Sequence, residues 1–278
     1  GATSSTFTPE GLRTNQGAEE TVRQLLRSLL ESGRVEAVLA LGKTGTPDGG
    51  VAYALFTDPD AFAPDGDALP LLPLMPANGG GLLSRLTLEG ALNTPVAAVI
   101  RPCEVRAFIE LMKLNQGSLE NVLLISSTCG GVYPLETAVD GSLEERVSAY
   151  WDGVERGELD EAVRPTCRAC QSFAPEGADI TVALFGQPDL DRHCTLHLTT
   201  EKGAAMAQGM DGRAVPGTLE HAVVEGAQAE RDTFGEELFA GVDAGLRGLI
   251  HTFGRCIGCH GGKTVCPICY CQLCHFDS

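Results

Sequence analysis

Short apolar runs alternate with amphipathic segments through the first half of this chain, and that alternation most constrains the fold. The runs VEAVLALG, VAYALF, PVAAVI and NVLLIS predict buried or half-buried strands. Residues 18–32 predict an amphipathic helix, and RPCEVRAFIELMKLN predicts another that directly follows the strand PVAAVI. Strand–helix–strand units with short connections place parallel strands in one sheet. We therefore predict an α/β fold with a mixed sheet core and flanking helices.

The second half continues the pattern and ends differently. A capping box at Ser142 begins a polar helix that runs to about Gly157, and ADITVALFG and TLHLTT predict two more strands. Two helices are expected within residues 218–250, the second capped at Thr233. Cysteine-rich sequence begins near Gly254. We predict a core domain over 1–253 and a small cysteine-rich tail over 254–278.

Charge and cysteine content narrow the function. The 278 residues carry a formal net charge of −17, which disfavours nucleic acid and anionic membrane surfaces as partners. No signal-peptide pattern is visible at the start, and no apolar run is long enough to insert into a membrane, so we expect a cytoplasmic protein. Eleven cysteines in a reducing compartment indicate metal or redox chemistry rather than structural disulfides.

Six tail cysteines are candidate metal ligands: Cys256, Cys259, Cys266, Cys269, Cys271 and Cys274. The first two, together with Cys266-Pro267, match three positions of the ferredoxin run C-x2-C-x2-C-x3-C-P, with Gly262 at the remaining one. A cluster here would therefore recruit a ligand from further along the tail. The alternative is zinc held by two C-x-x-C pairs, although the gap between the pairs is short for a zinc ribbon.

Four upstream cysteines, which we call the core cysteines, are Cys103, Cys129, Cys167 and Cys170. Cys103 begins a predicted helix after a strand, and the N-terminus of that helix is expected to favour the thiolate of Cys103. The second ends the next strand in STCGG, and the last two form a C-x-x-C on a loop. Ends of neighbouring parallel strands lie together, so thiols from three loops are expected to converge on one cluster. Cys194 is instead expected in the core.

Three stretches, RPCEVRA, CRACQSFAPEGADITVALFG and TTEKG, together resemble the beta-subunit family of coenzyme F420 hydrogenases and dehydrogenases. The resemblance covers roughly residues 35–205. The tail is similar to that of family members associated with heterodisulfide reductase, hydrogenase or formate dehydrogenase. The resemblance implies an iron–sulfur flavoprotein subunit that carries FAD, and it implies that the core cysteines hold a [4Fe–4S] cluster beside the flavin.

The resemblance also indicates where the flavin would bind. The segment NGGGLLSRL aligns with the family's segment near the flavin phosphates, and consecutive glycines ahead of a helix leave N–H groups free for a pyrophosphate. A flexible connector is the alternative interpretation of the glycines. Family members have a small residue at the position of Arg101. This arginine either contacts an anion or the flavin, or it narrows the pocket that the deazaflavin uses. The predicted flavin contacts are Asn78, Gly79, Gly80, Gly81, Ser84, Arg85 and Arg101.

These observations predict an electron-transfer oxidoreductase subunit with FAD and two [4Fe–4S] clusters, working with other subunits of a redox complex of the hydrogenase, formate dehydrogenase or heterodisulfide reductase kind. A cluster-only relay or docking subunit without flavin is the first alternative. A zinc-stabilised structural protein is the second.

Overall fold

The computed structural model describes residues 7–45, 50–217, 221–254, 256–257, 262 and 266–270, without the side chains of 221–223. One sheet has the strand order β3-β2-β4-β5-β6-β7-β1-β8. The strands are β1 Glu10–Thr14, β2 Ala37–Lys43, β3 Val51–Phe56, β4 Val96–Val99, β5 Val122–Ser127, β6 Ile180–Ala183, β7 Cys194–Leu198 and β8 Arg213–Pro216. The α-helices are α1 Ala18–Glu31, α2 Gly79–Leu86, α3 Pro102–Lys113, α4 Leu143–Arg156, α5 Pro165–Arg168, α6 Glu201–Met206, α7 His221–Phe239 and α8 Gly245–Phe253, with 3₁₀ turns at Pro59–Phe62 and Leu135–Ala138.

The sheet is mixed, as the sequence predicts. Strands β2, β4, β5 and β6 are parallel neighbours, whereas β3, β7, β1 and β8 pair in antiparallel fashion. The α/β prediction is therefore confirmed. Because the parallel strands point the same way, the loops that follow them lie at one edge of the sheet.

Helices cover both faces of the sheet. Along β4 and β5, residues such as Ala97 and Leu123 pack on the side of α1 and α4, while Ala98 and Leu124 pack on the side of α2 and α3. Alternate residues of a strand point to opposite faces, so a run that is apolar throughout belongs to a strand buried on both sides. The apolar runs thus fix the central strands.

Two strands and two capping boxes differ from the sequence-based expectations. Strands β1 and β8, which were not predicted, pair with each other at one end of the sheet. Residue Thr233 lies inside α7, where its hydroxyl donates to the Ala229 carbonyl, so the predicted second capping box is wrong. At Ser142 a helix does follow, but the hydroxyl donates to the Asp140 carboxylate rather than capping that helix.

The stretches beginning at Ala178 and Thr199 have a structural role. The Asp179 carboxylate accepts from the Leu124 backbone N–H at 2.8 Å and from the Lys202 ammonium at 2.9 Å. The Thr200 hydroxyl caps α6, and a Cβ on Gly203 would clash with the Asp179 carbonyl. These residues join β5, β6 and α6 rather than forming a site.

Among the described residues, no helix is long and apolar enough to cross a membrane. Helix α8 ends at Phe253, directly before the predicted tail. The division into residues 1–253 and 254–278 remains a prediction.

Candidate metal centre at the carboxyl edge of the sheet

The core cysteines come from segments that the sheet brings together. The second residue of α3, which follows β4, is Cys103, and Cys129 follows the parallel neighbour β5. Cys167 lies in α5, and Cys170 comes two residues after that helix ends. All four thiols are unpaired, and the Cys129 and Cys167 charges act directly on Cys103. The segments that carry Cys103, Cys129 and Cys167 lie near one another, and the convergence of all four thiols on one cluster remains a prediction.

Backbone contacts bring these segments into close approach. The Cys129 N–H donates to the Phe173 carbonyl at 2.9 Å, and its sulfur accepts from the Gly131 N–H at 3.3 Å. The residue Gly131 has φ of +90°, and a Cβ there would lie 3.1 Å from the Cys167 Cβ. Glycine at this position therefore permits both the backbone conformation and the close packing of the two cysteine segments.

Burial raises the pKa of the Cys103, Cys129 and Cys167 thiols. Desolvation raises the pKa of Cys103 to about 12 even though part of its surface reaches solvent, and it raises the pKa of Cys129 and Cys167 as well. Neighbouring cysteine charges act in the same direction. The expectation that the helix N-terminus would favour the Cys103 thiolate is wrong here, because desolvation outweighs the helix dipole. A metal that binds here must displace protons.

The arrangement does not resemble a site for a single ion. Within the described part of the chain, no three His, Cys, Asp or Glu side chains are grouped so that they could hold one metal ion. A [4Fe–4S] cluster distributes four thiolates over separate irons and needs a wider set of ligands. The core cysteines supply the number of thiols that such a cluster takes, and their assignment as its ligands remains a prediction.

A buried cation, which the sequence analysis did not single out, lies beside the core cysteines. The guanidinium of Arg231 on α7 donates to the Cys129 carbonyl at 2.9 Å and to the Cys170 carbonyl at 3.1 Å. Its Nε is buried and has no hydrogen-bond partner among the described residues. The segment AERDTF around this residue matches no ligand motif. Only the packing of α7 reveals it.

A second buried network supports the start of α3. The Glu104 carboxylate, fully buried, accepts from the Tyr53 hydroxyl at 2.7 Å, the Arg101 backbone N–H at 2.7 Å and the Gly79 backbone N–H at 2.7 Å. The Arg101 guanidinium donates to the carbonyls of Leu72 and Leu74. The three-residue spacing of Arg101 and Glu104 was the available sequence signal for this network. It fixes the residues that flank Cys103.

Several predicted flavin contacts are already engaged within the protein. The glycines Gly79 and Gly80 form the buried first turn of α2, so they are not a flexible connector. The Gly81 N–H donates to the Asn78 side chain at 3.0 Å, and the Ser84 hydroxyl donates to the Gln116 carbonyl. Together with the Gly79 and Arg101 contacts, these bonds leave few free donors for a phosphate. Arg85 is exposed.

A small cavity lies at the same edge of the sheet. Its volume is about 20 Å³, and its lining includes Arg101, Cys129, Tyr150 and Ser126. The Ser126 hydroxyl is buried without a hydrogen-bond partner in the described chain. This volume holds about one water molecule. An isoalloxazine ring does not fit there.

The tail is described only in part. Cys256, Cys266 and Cys269 are exposed. The tail cysteines Cys259, Cys271 and Cys274 lie outside the described residues. Elsewhere in the tail, the Pro267 carbonyl is 3.7 Å from the position that a Cβ on Gly81 would occupy. The turn between Cys266 and Cys269 therefore lies close to α2.

Comparisons with known proteins agree with this architecture. Residues 140–215 match the family model for the C terminus of the coenzyme F420 hydrogenase/dehydrogenase beta subunit. The chain is 23% identical to the F420-dependent formate dehydrogenase 1 subunit beta of Methanococcus maripaludis, over 91% of this chain and 72% of that protein. It is 24% identical to the F420-dependent formate dehydrogenase subunit beta of Methanocaldococcus jannaschii, over 92% and 74%.

A solved structure has the same fold. One chain of the F420-reducing [NiFe] hydrogenase complex from Methanosarcina barkeri superimposes with a TM-score of 0.56 at 14% identity, covering 87% of this chain and 94% of that one. The fold and the convergent thiols define an α/β protein with a cysteine cluster at the carboxyl edge of a mixed sheet. In sequence, the chain is similar to the beta-subunit family of coenzyme F420 hydrogenases and dehydrogenases, whose C-terminal family model matches residues 140–215.

Proposed function

We propose that this protein is an electron-transfer subunit of an oxidoreductase complex and that its core cysteines hold a [4Fe–4S] cluster. The convergence of Cys103, Cys129, Cys167 and Cys170 at one edge of the sheet is the observation that supports this proposal most directly. The relatives named above are beta subunits of F420-dependent formate dehydrogenases, which supports the same class of function.

The cluster, when bound, supplies one-electron transfer, and the protein supplies its geometry and surroundings. The Glu104 network orients the start of α3 and with it Cys103. The Gly131 N–H reaches the Cys129 sulfur, and hydrogen bonds to ligand sulfur tune a cluster's potential.

We propose FAD as a second cofactor, which would exchange electron pairs with a diffusible carrier. Among the predicted flavin contacts, the Arg85 side chain at the exposed end of α2 and the Gly80 N–H take no part in the hydrogen bonds that engage Gly79, Gly81 and Ser84. The internal bonds of Gly79 and Gly81 and the small cavity are the observations that support the second candidate, a cluster-only relay or docking subunit without flavin. Flavin analysis separates the two functions.

We also propose a second [4Fe–4S] cluster in the tail, with Cys256, Cys259 and Cys266 among its ligands. The contact between Pro267 and α2 places that turn near the helix pair that carries Cys103, which suits transfer between two centres. Zinc held by the tail is the competing assignment.

The partner is proposed to be another subunit of a hydrogenase-, formate dehydrogenase- or heterodisulfide reductase-like complex. Helix α8 ends three residues before Cys256 and exposes an apolar face: Leu246, Leu249, Ile250 and Phe253. A subunit that covered this face would also lie beside the tail. An exposed apolar patch of this kind is typical of an interaction surface.

The test is anaerobic purification of the full chain, with iron, sulfide, zinc and flavin measured on one sample. About eight irons with one flavin per chain are expected for two clusters and FAD. In Cys103→Ser the iron content is expected to fall by about four, whereas Cys194→Ser, which replaces a buried core cysteine, keeps it unchanged.

Other outcomes assign the alternatives. Iron without flavin supports the cluster-only relay. Four irons that survive Cys103→Ser but not Cys256→Ser would place the only cluster in the tail. Zinc without iron or flavin, in a sample protected from oxygen throughout, contradicts the electron-transfer function.

A further inference from the structure

Arg231 is a buried cation in an unusual setting. Only 2% of its surface is exposed, and its guanidinium carbon lies 4.0 Å from the Phe173 ring centroid and 5.2 Å from that of Phe185. Two guanidinium nitrogens donate to the carbonyls of Cys129 and Cys170. One side chain from α7 thus joins two segments that each supply a core cysteine.

The burial of this charge requires compensation. Within the described part of the chain, Arg231 makes no ion pair with a carboxylate, and its Nε has no hydrogen-bond partner. A buried unpaired cation and an unsatisfied donor both destabilise a fold. The titratable groups that act on this guanidinium are the thiols of Cys129, Cys170 and Cys167 and the Tyr150 hydroxyl, which are negative only when deprotonated. The structure therefore supplies a cation whose natural counter-charge is whatever the core cysteines bind.

We propose that Arg231 is a positioning residue for the core cluster and that its charge raises the cluster's reduction potential. This inference rests on the proposed function. Four thiolates give a [4Fe–4S] centre a net negative charge, which grows by one when a single electron is added without bond formation or proton transfer. A fixed cation stabilises the more negative, reduced state. The two bonds to cysteine carbonyls hold the ligand segments together.

The test uses the full-length chain with three substitutions. Arg231→Met removes the charge and both bonds, and Arg231→Lys keeps the charge but loses the planar two-carbonyl bridge. The matched control is Arg27→Met, because Arg27 on α1 forms an exposed ion pair with Glu31 at 3.3 Å and lies outside the segments that carry the core cysteines. Loss of the core signal in Cys103→Ser identifies which electron paramagnetic resonance signal to follow. Circular dichroism checks that each variant is folded.

Arg231→Met is expected to lower the midpoint potential of the core signal by the equivalent of at least a tenfold change in the one-electron equilibrium, about 59 mV. Arg231→Lys is expected to shift it by less than half as much. Both variants are expected to release iron to a chelator about tenfold faster than wild type. Arg27→Met is expected to behave like wild type in both measurements.

An Arg231→Met protein with the wild-type potential and the wild-type rate of iron release would overturn the inference. If that variant holds no cluster, Arg231→Lys decides. In Arg231→Lys, a cluster that keeps a potential near that of wild type but releases iron to the chelator faster supports the inference. A cluster in that variant that releases iron as slowly as wild type overturns it. A wild-type chain that binds no iron after anaerobic reconstitution overturns the proposed function itself, which is a different result from iron-loaded chains that are insensitive to Arg231.

Discussion

The core cysteines and the tail cysteines differ in how much of their setting the fold provides. The core segments are held by the ends of β4 and β5, by the Glu104 network and by Arg231. In the tail, Cys256, Cys266 and Cys269 are exposed and follow a helix whose apolar face is also exposed. The first region is organised by the sheet, whereas the described part of the second has little packing around it.

This difference indicates how the two regions would depend on metal. A site whose ligands are preordered by a core retains its fold when the metal is absent. A short segment without a core of its own gains folding free energy from its metal. We therefore expect substitutions at the supports of the core region to have large effects on stability, and substitutions near the tail to have small ones.

The largest effect is expected for Glu104→Gln. It removes a buried charge that accepts three hydrogen bonds and leaves the guanidinium of Arg101 without its carboxylate. We expect the free energy of unfolding, measured with urea, to fall by about 3–5 kcal/mol. The control is Glu110→Gln on the same helix, which breaks an exposed ion pair to Lys113 and is expected to cost less than about 1 kcal/mol. Equal losses for the two variants would show that the network does not support the site.

Two glycines on helices give the next comparison. A Cβ on Gly80 would clash with the Glu104 carbonyl where α2 packs on α3, so Gly80→Ala is expected to destabilise the protein by about 1–3 kcal/mol. A Cβ on Gly226 in α7 would meet nothing within 4 Å, so Gly226→Ala is expected to stabilise it by about 0.5–1 kcal/mol. Thermal unfolding of both variants measures the contrast. A harmless Gly80→Ala would contradict the close packing of the two helices.

The pH dependence of thiol reactivity tests the burial of the core region. The pKa of Cys103 is raised to about 12, and only the thiolate is alkylated. In the metal-free chain, the iodoacetamide rate at Cys103 is therefore expected to rise about tenfold per pH unit from about pH 8 to pH 10, without a plateau. Mass spectrometry of the Cys103 peptide measures the rate, and a small model thiol in the same buffers serves as the reference. A plateau near pH 9 would mean that the thiol is not desolvated.

The smallest effects are expected on α8. Because Leu249 and Ile250 are 57% and 61% exposed, replacing either with Gln is expected to change the free energy of unfolding by less than about 0.5 kcal/mol. Leu111→Gln, at a buried position of α3, serves as the contrasting control and is expected to be strongly destabilising. A loss above about 1 kcal/mol at Leu249 would show that this face packs within the chain instead of being available to a partner.

Apolar patterning predicted the central strands because they are buried on both faces. The runs ending at Ile100 and Ser126 are apolar throughout, which is typical of strands buried on both faces. The short connections to the helices predicted that these two strands pair in parallel. Strand β8 eluded prediction because RAVP is largely exposed and takes its conformation from pairing with β1. Short strands at a sheet end depend on their neighbours more than on their own residues.

The candidate site shows the same division. The positions of Cys103 and Cys129 after neighbouring strands predicted that their segments would meet, since that inference needs only strand order. Capping residues were less predictable. Sequence alone treats Thr233 as a helix start, yet α7 continues through it because the preceding residues are already helical.

The sequence by itself determined the α/β pattern, the location of the cysteines and the similarity to F420 hydrogenase and dehydrogenase beta subunits, because these depend on local periodicity and motif spacing. Only the tertiary structure decided which N–H groups, thiols and charges remain available to a cofactor or a metal. It engaged the N–H groups of Gly79 and Gly81 in internal bonds and raised the pKa of the Cys103, Cys129 and Cys167 thiols by burial. It also brought Arg231 to the carbonyls of two cysteine segments. The physical reason is that desolvation and hydrogen-bond partners arise from residues far apart in the chain, and no local pattern records them.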